Sequence, residues 1–151
     1  MWKKCISKYV TILQYDDPRL LGLSLKLPQR TILFINVFLT TNNPENDELF
    51  TFYLGKLSSI ISTCEEDIVC ILGDINAAPS SPRFGEYLSV VEEQHLPVAY
   101  VDLLPDTRYT YVNHGTLSHS WLNHYIVSQI LYNVLSDRSI MYNLVHLIIL
   151  Q

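Results

Sequence analysis

Two strongly apolar segments, RTILFINVFLT at residues 30–40 and DIVCIL at residues 67–72, lie on either side of one amphipathic segment. The first is rich in β-branched and aromatic residues and the second is a short apolar run, so both are predicted to be buried strands. The segment between them begins near Asn46 or Asp47, either of which can cap a helix, and has apolar residues at helical spacing until about residue 63. This succession of strand, helix and strand constrains the chain to an α/β fold.

The rest of the chain adds further strands and one more helix. Residues 21–27 alternate leucine with small or polar residues, and a short break at Pro28 and Gln29 separates them from residues 30–40, so these two strands are expected to form an antiparallel pair. The other predicted elements are strands at residues 9–15, 109–112, 121–128 and 142–150 and a helix at residues 83–96. This order predicts a mixed sheet flanked by helices.

Composition limits the classes of function. The chain has 151 residues, of which 48% are hydrophobic and 17% charged, which suits one domain with a core. Its formal net charge is −5, whereas nucleic-acid-binding proteins are typically basic. Contact with nucleic acid would therefore need a local patch of basic residues. The three cysteines show no CxxC spacing and are expected to be reduced. No signal peptide or membrane span is predicted, and we expect a soluble protein of the nucleus or cytoplasm.

The strongest chemical signal follows the strand DIVCIL. Gly73, Asp74, Ile75 and Asn76 come next, and a turn rich in proline and serine follows them. Ligands bind where the strands of α/β sheets end, and the Asp74 carboxylate can ligate a hard divalent cation there. The Asn76 amide would project the same way if the chain stays extended, and it can donate to a phosphate oxygen. The stretch is therefore a plausible half-site for phosphodiester chemistry.

The polar residues also fit other interpretations. Glycine, aspartate and asparagine are common where a strand meets a turn, so the stretch alone also fits a plain strand end. A nucleoside-triphosphatase site is excluded because no GxxxxGK[ST] sequence occurs. The histidines His114, His119 and His124 recur every five residues, but this spacing fixes no shared face and no cysteine ligands accompany them, so no zinc site is predicted.

Three motifs in order resemble a known superfamily. They are NVFLT at residues 36–40, GDIN at residues 73–76 and YTYVNHGTLSHSWLNHYIVS at residues 109–128. They resemble the NVYxP, GDFN and FTYxxxxxxSxLDHxxxS motifs of the endonuclease/exonuclease/phosphatase superfamily, and are most similar to its LINE-type retrotransposon branch. The resemblance covers about residues 20–140. It implies a partial DNase-like fold, in which a two-sheet α/β sandwich contains a mixed sheet flanked by helices.

The resemblance also implies a set of site residues. Asp74 would act at Mg²⁺, with Mn²⁺ as a substitute, or at the attacking water, and Asn76 would help to hold the phosphate. Asn36 matches the asparagine that opens the NVYxP strand, and Trp121 lies where an aromatic side chain can touch nucleic acid. Asn123 stands in the place of an aspartate that orients a catalytic histidine.

Several expected residues of the superfamily are missing. The superfamily has a strand with a metal-binding glutamate before the NVYxP strand, but no such strand precedes residue 36 here. Glu45 and Glu48 come after that residue and do not fill the role. The tyrosine of NVYxP is Phe38, which has no hydroxyl to reach a phosphate. The final SDH motif is absent, since Ser136 and Asp137 are followed by arginine and His146 stands among apolar residues.

These departures favour a single, incomplete and degenerate domain over residues 1–151 with little or no nuclease activity. Loss of several members of one catalytic unit costs many powers of ten in rate. DNA is the expected nucleic-acid partner. Two alternatives stay open: a non-catalytic interaction module whose exposed apolar face binds a protein partner, and an enzyme that acts on a phospholipid or inositol phosphate.

Overall fold

The computed structural model describes residues 4–96, 111–113, 115, 118–120 and 122–135. The strands are β1 (Val10–Gln14), β2 (Leu20–Lys26), β3 (Thr31–Phe38), β4 (Ile68–Asp74), β5 (Tyr111–Asn113), β6 (Ser118–Ser120) and β7 (Asn123–Val127). The helices are α1 (Asp47–Thr63), α2 (Pro82–Glu93) and α3 (Gln129–Leu135), and short 3-10 helices cover Lys4–Tyr9 and Pro44–Asn46. The predicted α/β class is confirmed.

Five strands form one mixed sheet in the order β1-β2-β3-β4-β7. The β2–β3 pair is antiparallel, as the sequence predicts, and so are the β1–β2 and β4–β7 pairs. The β3–β4 pair is parallel. A parallel pair needs a crossover connection, and α1 supplies it here. β5 and β6 form a separate hairpin.

The two faces of this sheet have different surroundings. In β3, Leu33, Ile35 and Val37 are almost fully buried, and one core cluster joins them to apolar residues of α1, α2, β4 and β7. The alternate residues point to the opposite face, because successive side chains of a strand project to opposite sides. That face is partly open, since Ile12 and Phe38 are 56% and 52% exposed. We refer to it as the open face and to the other as the helix face.

Most predicted elements are confirmed within one to three residues. α1 begins at Asp47, but Asn46 does not cap it, because the Asn46 side chain donates to Thr41 and Asn43 instead caps the preceding 3-10 helix. Sequence analysis missed α3 and β6. The strand predicted at residues 142–150 lies outside the described residues.

Arg83, in the first turn of α2, forms hydrogen bonds with the loop that follows β3. Its guanidinium donates to the carbonyls of Thr40, Thr41 and Asn43 at 2.7–3.1 Å and to Asp47 Oδ1 at 2.7 and 2.9 Å. The Arg83 side chain is 5% exposed, whereas that of Asp47 is 61% exposed. The loop beyond β3 is therefore held mainly by charge-assisted bonds from one buried guanidinium to backbone carbonyls.

Cys64 and Cys70 are free thiols. Cys70 is buried in β4, and burial raises its pKa to about 12, so it packs as a core residue without thiolate character. Cys64 is half-buried after α1. Within the described ranges, no helix combines the length and apolar character needed to cross a bilayer.

Candidate functional site

Asp74 is the last residue of β4, and it has a neighbour on each side in the sheet. It is level with Phe38 of the parallel strand β3 and with Asn123 of the antiparallel strand β7. The amide of Ile75 donates to the carbonyl of Leu122 at 2.9 Å, which makes Asp74 and Asn123 a non-hydrogen-bonded cross-strand pair. In such a pair the Cα atoms are about 4.5 Å apart and the side chains lie close together on one face.

Gly73 sets the spacing of β3 and β4 at this edge. Its φ angle is +129°, which side-chain-bearing residues rarely adopt. A Cβ atom on Gly73 would lie 2.1 Å from the carbonyl oxygen of Val37, so the two backbones meet where only glycine fits. The strand before Asp74 is therefore fixed by close main-chain contact.

The turn after β4 is anchored to both neighbouring strands. Asn76 adopts a left-handed conformation with φ +54°, so the chain does not stay extended as the sequence analysis assumed. The Asn76 side chain is buried and donates to the carbonyl of Leu39 at 2.9 Å, while its backbone amide donates to Asp74 Oδ1 at 3.0 Å. His124 and the carbonyl of Ala77 are joined at 2.7 Å. The position of Asp74 is thus set before any ligand arrives.

The Asp74 carboxyl is half-buried, and its electrostatic surroundings disfavour a negative charge. Burial raises its pKa above 3.8, and the opposing hydrogen bonds from the backbone and side chain of Asn76 are smaller in effect. No cation contributes to this pKa, and Asp74 forms no ion pair within the part of the chain that the structure describes. A site of this kind favours a bound proton or a bound cation.

Asn36 and Phe38 lie on the same face as Asp74. Phe38 is level with Asp74, whereas Asn36 is level with Leu72, one residue pair further from the strand end. Both Asn36 and Phe38 are exposed. The structure therefore brings Asp74, Asn76 and Asn123 together and leaves Asn36 at the margin of the group.

Sequence analysis missed a cation at the same strand end. The Arg19 guanidinium lies 5.6 Å from the ring centroid of Phe38 and 5.7 Å from that of Tyr53, and its Nη1 donates to the Phe38 carbonyl at 3.2 Å. The neighbouring carboxylate, Asp17, is paired with Lys56 at 2.8 Å. The sequence gives no local signal for this arrangement, because the residues that hold Arg19 are 19 and 34 positions away.

His124 does not supply a general base at this site. Its ring is completely buried on the helix face, with centroids 5.3 Å from Phe84 and 5.6 Å from Tyr87. Burial lowers its pKa to about 4, and the contact with Ala77 opposes that change, so the ring is neutral near pH 7. Asn123 precedes it and points to the other face.

Three of the positions considered in the sequence lie outside the described residues. They are Trp121, His114 and His146. Among the described residues, no group of three histidine, cysteine, aspartate or glutamate side chains could hold a metal ion. Asp74 is the one carboxylate level with Asn123 in the paired strands.

These residues fit magnesium only when other ligands accompany it. Mg²⁺ in proteins uses one or two carboxylates together with waters and substrate phosphates. Asp74 supplies one carboxylate that has no cationic partner among the described residues. The observed group thus suits a magnesium ion that shares its coordination with a phosphate, rather than a cage made by the protein.

Comparison with solved structures identifies the fold. The endonuclease domain of TRAS1, a telomere-specific non-LTR retrotransposon, is similar with a TM-score of 0.64 and 12% identity over 82% of this chain and 58% of that domain. An endonuclease/exonuclease/phosphatase family protein from Leptotrichia buccalis has a TM-score of 0.53 and 13% identity over 73% of this chain and 41% of its own. A Staphylococcus aureus beta toxin variant with bound magnesium ions has a TM-score of 0.52 and 10% identity, with 73% and 42% covered.

The chain spans about half the length of these solved structures. No protein-family model matches the sequence, and no curated protein is significantly similar to it. The structural similarity shows that the chain has a DNase-like fold, which is the fold that the resemblance of its three motifs implies.

Proposed function

We propose that this chain is a degenerate phosphodiesterase domain that retains a phosphate- and magnesium-binding strand end but hydrolyses phosphodiesters weakly or not at all. Asp74 would hold Mg²⁺ or Mn²⁺, and Asn123 would orient a phosphate beside it. The expected role of Asn76 changes, because its side chain is bonded to Leu39 and Asp74 and would hold Asp74 in position instead of binding the phosphate. When bound, the metal would polarise a phosphate oxygen. The chain's own residues bind and position the substrate.

The observation that supports this proposal is the cross-strand pair of Asp74 and Asn123. The pair places a half-buried carboxylate without a cationic partner among the described residues beside a neutral amide. The carboxylate suits binding of a cation. The amide cannot stabilise an imidazolium as a carboxylate would, so general-base catalysis by a histidine at this point is poorly supported.

DNA is the proposed substrate class. The similar TRAS1 domain is an endonuclease, and Arg19 adds a positive charge at the end of β3, the strand next to the one that ends in Asp74. Asn36 on β3 would contact the nucleic acid, and so would Trp121, which lies outside the described residues. Because the net charge of −5 opposes strong non-specific binding, we expect DNA affinity to be low and to fall with rising salt.

Metal binding and hydrolysis can be tested separately. Thermal unfolding with and without 10 mM Mg²⁺ (about the concentration used for weak sites) should show stabilisation of the wild type and none of Asp74→Ala. Glu93→Gln, an exposed carboxylate on α2, is the matched control and should respond as the wild type does. An equal response of Asp74→Ala would contradict a metal site at this residue.

Hydrolysis is measured by nicking of supercoiled plasmid in Mg²⁺ and in Mn²⁺. We expect little cleavage by the wild type and the same low level with Asp74→Ala. Robust nicking that Asp74→Ala abolishes would overturn the claim that the domain is catalytically weak. Parallel assays on a phospholipid and on an inositol phosphate test the alternative substrates.

A second candidate function is an interaction module, and the open face favours it. Ile12, Leu21 and Phe38 are each about half exposed on this face, on three adjacent strands. Such a patch on an edge-containing sheet is prone to association with another protein. Light scattering should show association that depends on concentration and that weakens in Ile12→Lys. A clean monomer at all concentrations would count against this candidate.

A further inference from the structure

β1 forms one edge of the five-stranded sheet, because within the described residues it pairs only with β2. Every second residue of such an edge strand directs its N–H and C=O groups away from the sheet. The 3-10 helix Lys4–Tyr9 contacts β2, on the paired side of β1. Thr11, Ile12 and Gln14 are exposed. The outer side of β1 is therefore accessible to another strand.

The sequence of β1 lacks the features that usually prevent an edge strand from pairing with another chain. Sheet edges are typically protected by charged residues, proline or a bulge. The strand VTILQ contains no charged residue and no proline, and its five residues pair with β2 in an unbroken register. Val10, Thr11 and Ile12 are β-branched, which favours an extended strand. β1 can therefore pair with a further strand along its whole length.

The two ends of β1 carry opposite charges. Lys8 precedes the strand and Asp16 follows it, and both side chains are exposed. Neither forms an ion pair in the described ranges, whereas the next carboxylate, Asp17, is paired with Lys56. If β1 paired with an identical strand in the parallel direction, like charges would meet at each end. Antiparallel pairing would instead bring opposite charges together, which is favourable.

We propose that two copies of this chain associate through antiparallel pairing of β1 with β1 of the second copy. Antiparallel strands that are related by a two-fold axis place one residue opposite its own counterpart. If that residue is Ile12, the central residue of β1, all five residues of the strand are paired. Lys8 and Asp16 are each four residues from Ile12, so this register brings each lysine to the aspartate of the other copy.

This pairing would join the two sheets into one and leave the sites at Asp74 uncovered. Residues directly opposite each other in antiparallel strands project to the same face, so the open faces of the two copies become continuous. β1 and β4 run in the same direction, and the strands of the second copy run in the opposite direction, so the two Asp74 sites lie at opposite ends of the joined sheet. Because a pair of five-residue strands gives a small interface, we expect the association to be weak.

The pairing is tested by sedimentation velocity of the full chain in EDTA without nucleic acid, so its outcome is independent of the proposed metal site. The wild type should dimerise with a dissociation constant below about 1 mM. Ile12→Lys places two ammonium groups opposite each other and should weaken dimerisation by about tenfold or more. Leu21→Lys, a matched change of an exposed residue on the open face of β2, should leave dimerisation unchanged.

Two results of this experiment would refute the proposal. One is a wild type that stays monomeric up to about 1 mM, which would mean that no second copy pairs with the edge. The other is an effect of Leu21→Lys as large as that of Ile12→Lys, which would place the contact on the open face and not at the edge of β1. Thermal unfolding of both variants should match the wild type, so that any loss of dimer is not a loss of fold.

Mixing two variants tests the register. Ile12→Glu alone should dimerise as weakly as Ile12→Lys, because two carboxylates would then lie opposite each other. An equal mixture of Ile12→Lys and Ile12→Glu should associate about threefold or more tightly than either variant alone, because an ammonium group faces a carboxylate across the two-fold axis. A mixture that associates no more tightly than the separate variants would contradict antiparallel pairing centred on Ile12.

Discussion

Asp74, the last residue of β4, and Asn123, the first residue of β7, face each other as a carboxylate opposite an amide. The arrangement places one negative charge where two would repel. It also leaves the strand end without the paired carboxylates that would hold a metal strongly.

Asn123→Asp should destabilise the protein in the absence of metal. Two carboxylates directly opposite each other on adjacent strands cost about 0.5–1 kcal/mol, which is about 1–4 °C in melting temperature for a chain of this size. Millimolar Mg²⁺ should restore this loss, because the cation neutralises the new charge. Asn123→Ser serves as the control and should show no added response to Mg²⁺. An Asn123→Asp variant as indifferent to Mg²⁺ as the serine variant would argue against a cation site.

Asp74→Asn should stabilise the protein at pH 7. Because the folded-state pKa of Asp74 is raised above 3.8, its stabilising contribution is present at acid pH and is lost as pH rises through the folded pKa. Asparagine avoids this cost and keeps the acceptor for the Asn76 amide. Urea unfolding at several pH values should show that Asp74→Asn has a higher free energy of unfolding than the wild type. The difference should grow above pH 3.8 and vanish below it.

Asp67, at the other end of β4, provides the comparison of opposite sign. Hydrogen bonds from the backbone and side chain of Thr31 lower its pKa below 3.8, so its contribution is present at neutral pH and lost on acidification. Asp67→Asn should therefore reduce stability at pH 7. If Asp74→Asn and Asp67→Asn changed the free energy of unfolding at pH 7 in the same direction, burial would not be what distinguishes the two carboxylates.

His124→Gln should remove a large part of the acid sensitivity of the fold. With a folded pKa of about 4 and an ordinary value of 6.5, the buried neutral ring costs stability as pH falls through 6.5, and about 3 kcal/mol is lost by pH 4. Glutamine cannot be protonated there. Chemical unfolding between pH 8 and pH 4 (about the range in which histidine titrates) should give a flatter profile for this variant. A profile as steep as that of the wild type would contradict a buried neutral ring at this position.

Arg83→Met should be the most damaging of these substitutions. It leaves three loop carbonyls without their donor, and each buried polar group left unsatisfied costs about 1–3 kcal/mol. Asp47→Asn removes only the exposed partner and should cost about 0–1 kcal/mol. Arg83→Lys should resemble Arg83→Met, because an ammonium group cannot serve the same fork of acceptors. Similar costs for Asp47→Asn and Arg83→Met would mean that the ion pair, and not the carbonyl contacts, holds the loop.

The sequence predicts the sheet well because its central strands are apolar over their whole length. Residues 30–40 and 67–72 admit few other structures, and α1 has a clear helical period, so these elements were predicted to within about two residues. β6 and α3 escaped prediction for the opposite reason. The sequence SHS has no apolar residue, and seven residues of QILYNVL are too short to show a helical period.

The candidate site was predicted in part. Asp74 and Asn76 were identified because a carboxylate and an amide follow a buried strand. The left-handed turn at Asn76 was not, since it depends on the bond to Leu39, 37 residues away. The contacts of Arg83 and Arg19 are also with residues 43 and 19 positions away in the chain, and a local pattern carries no information on them.

The close approach at Gly73 has a consequence for how such a domain can change over generations. The atom that blocks a larger residue belongs to the main chain of Val37, so no side-chain substitution nearby can make room for it. A lineage can exchange Asn123 for aspartate, or the reverse, by a single replacement and keep the strand end intact. Replacing the glycine would instead force two strands apart. A further single substitution elsewhere would not bring those strands together again.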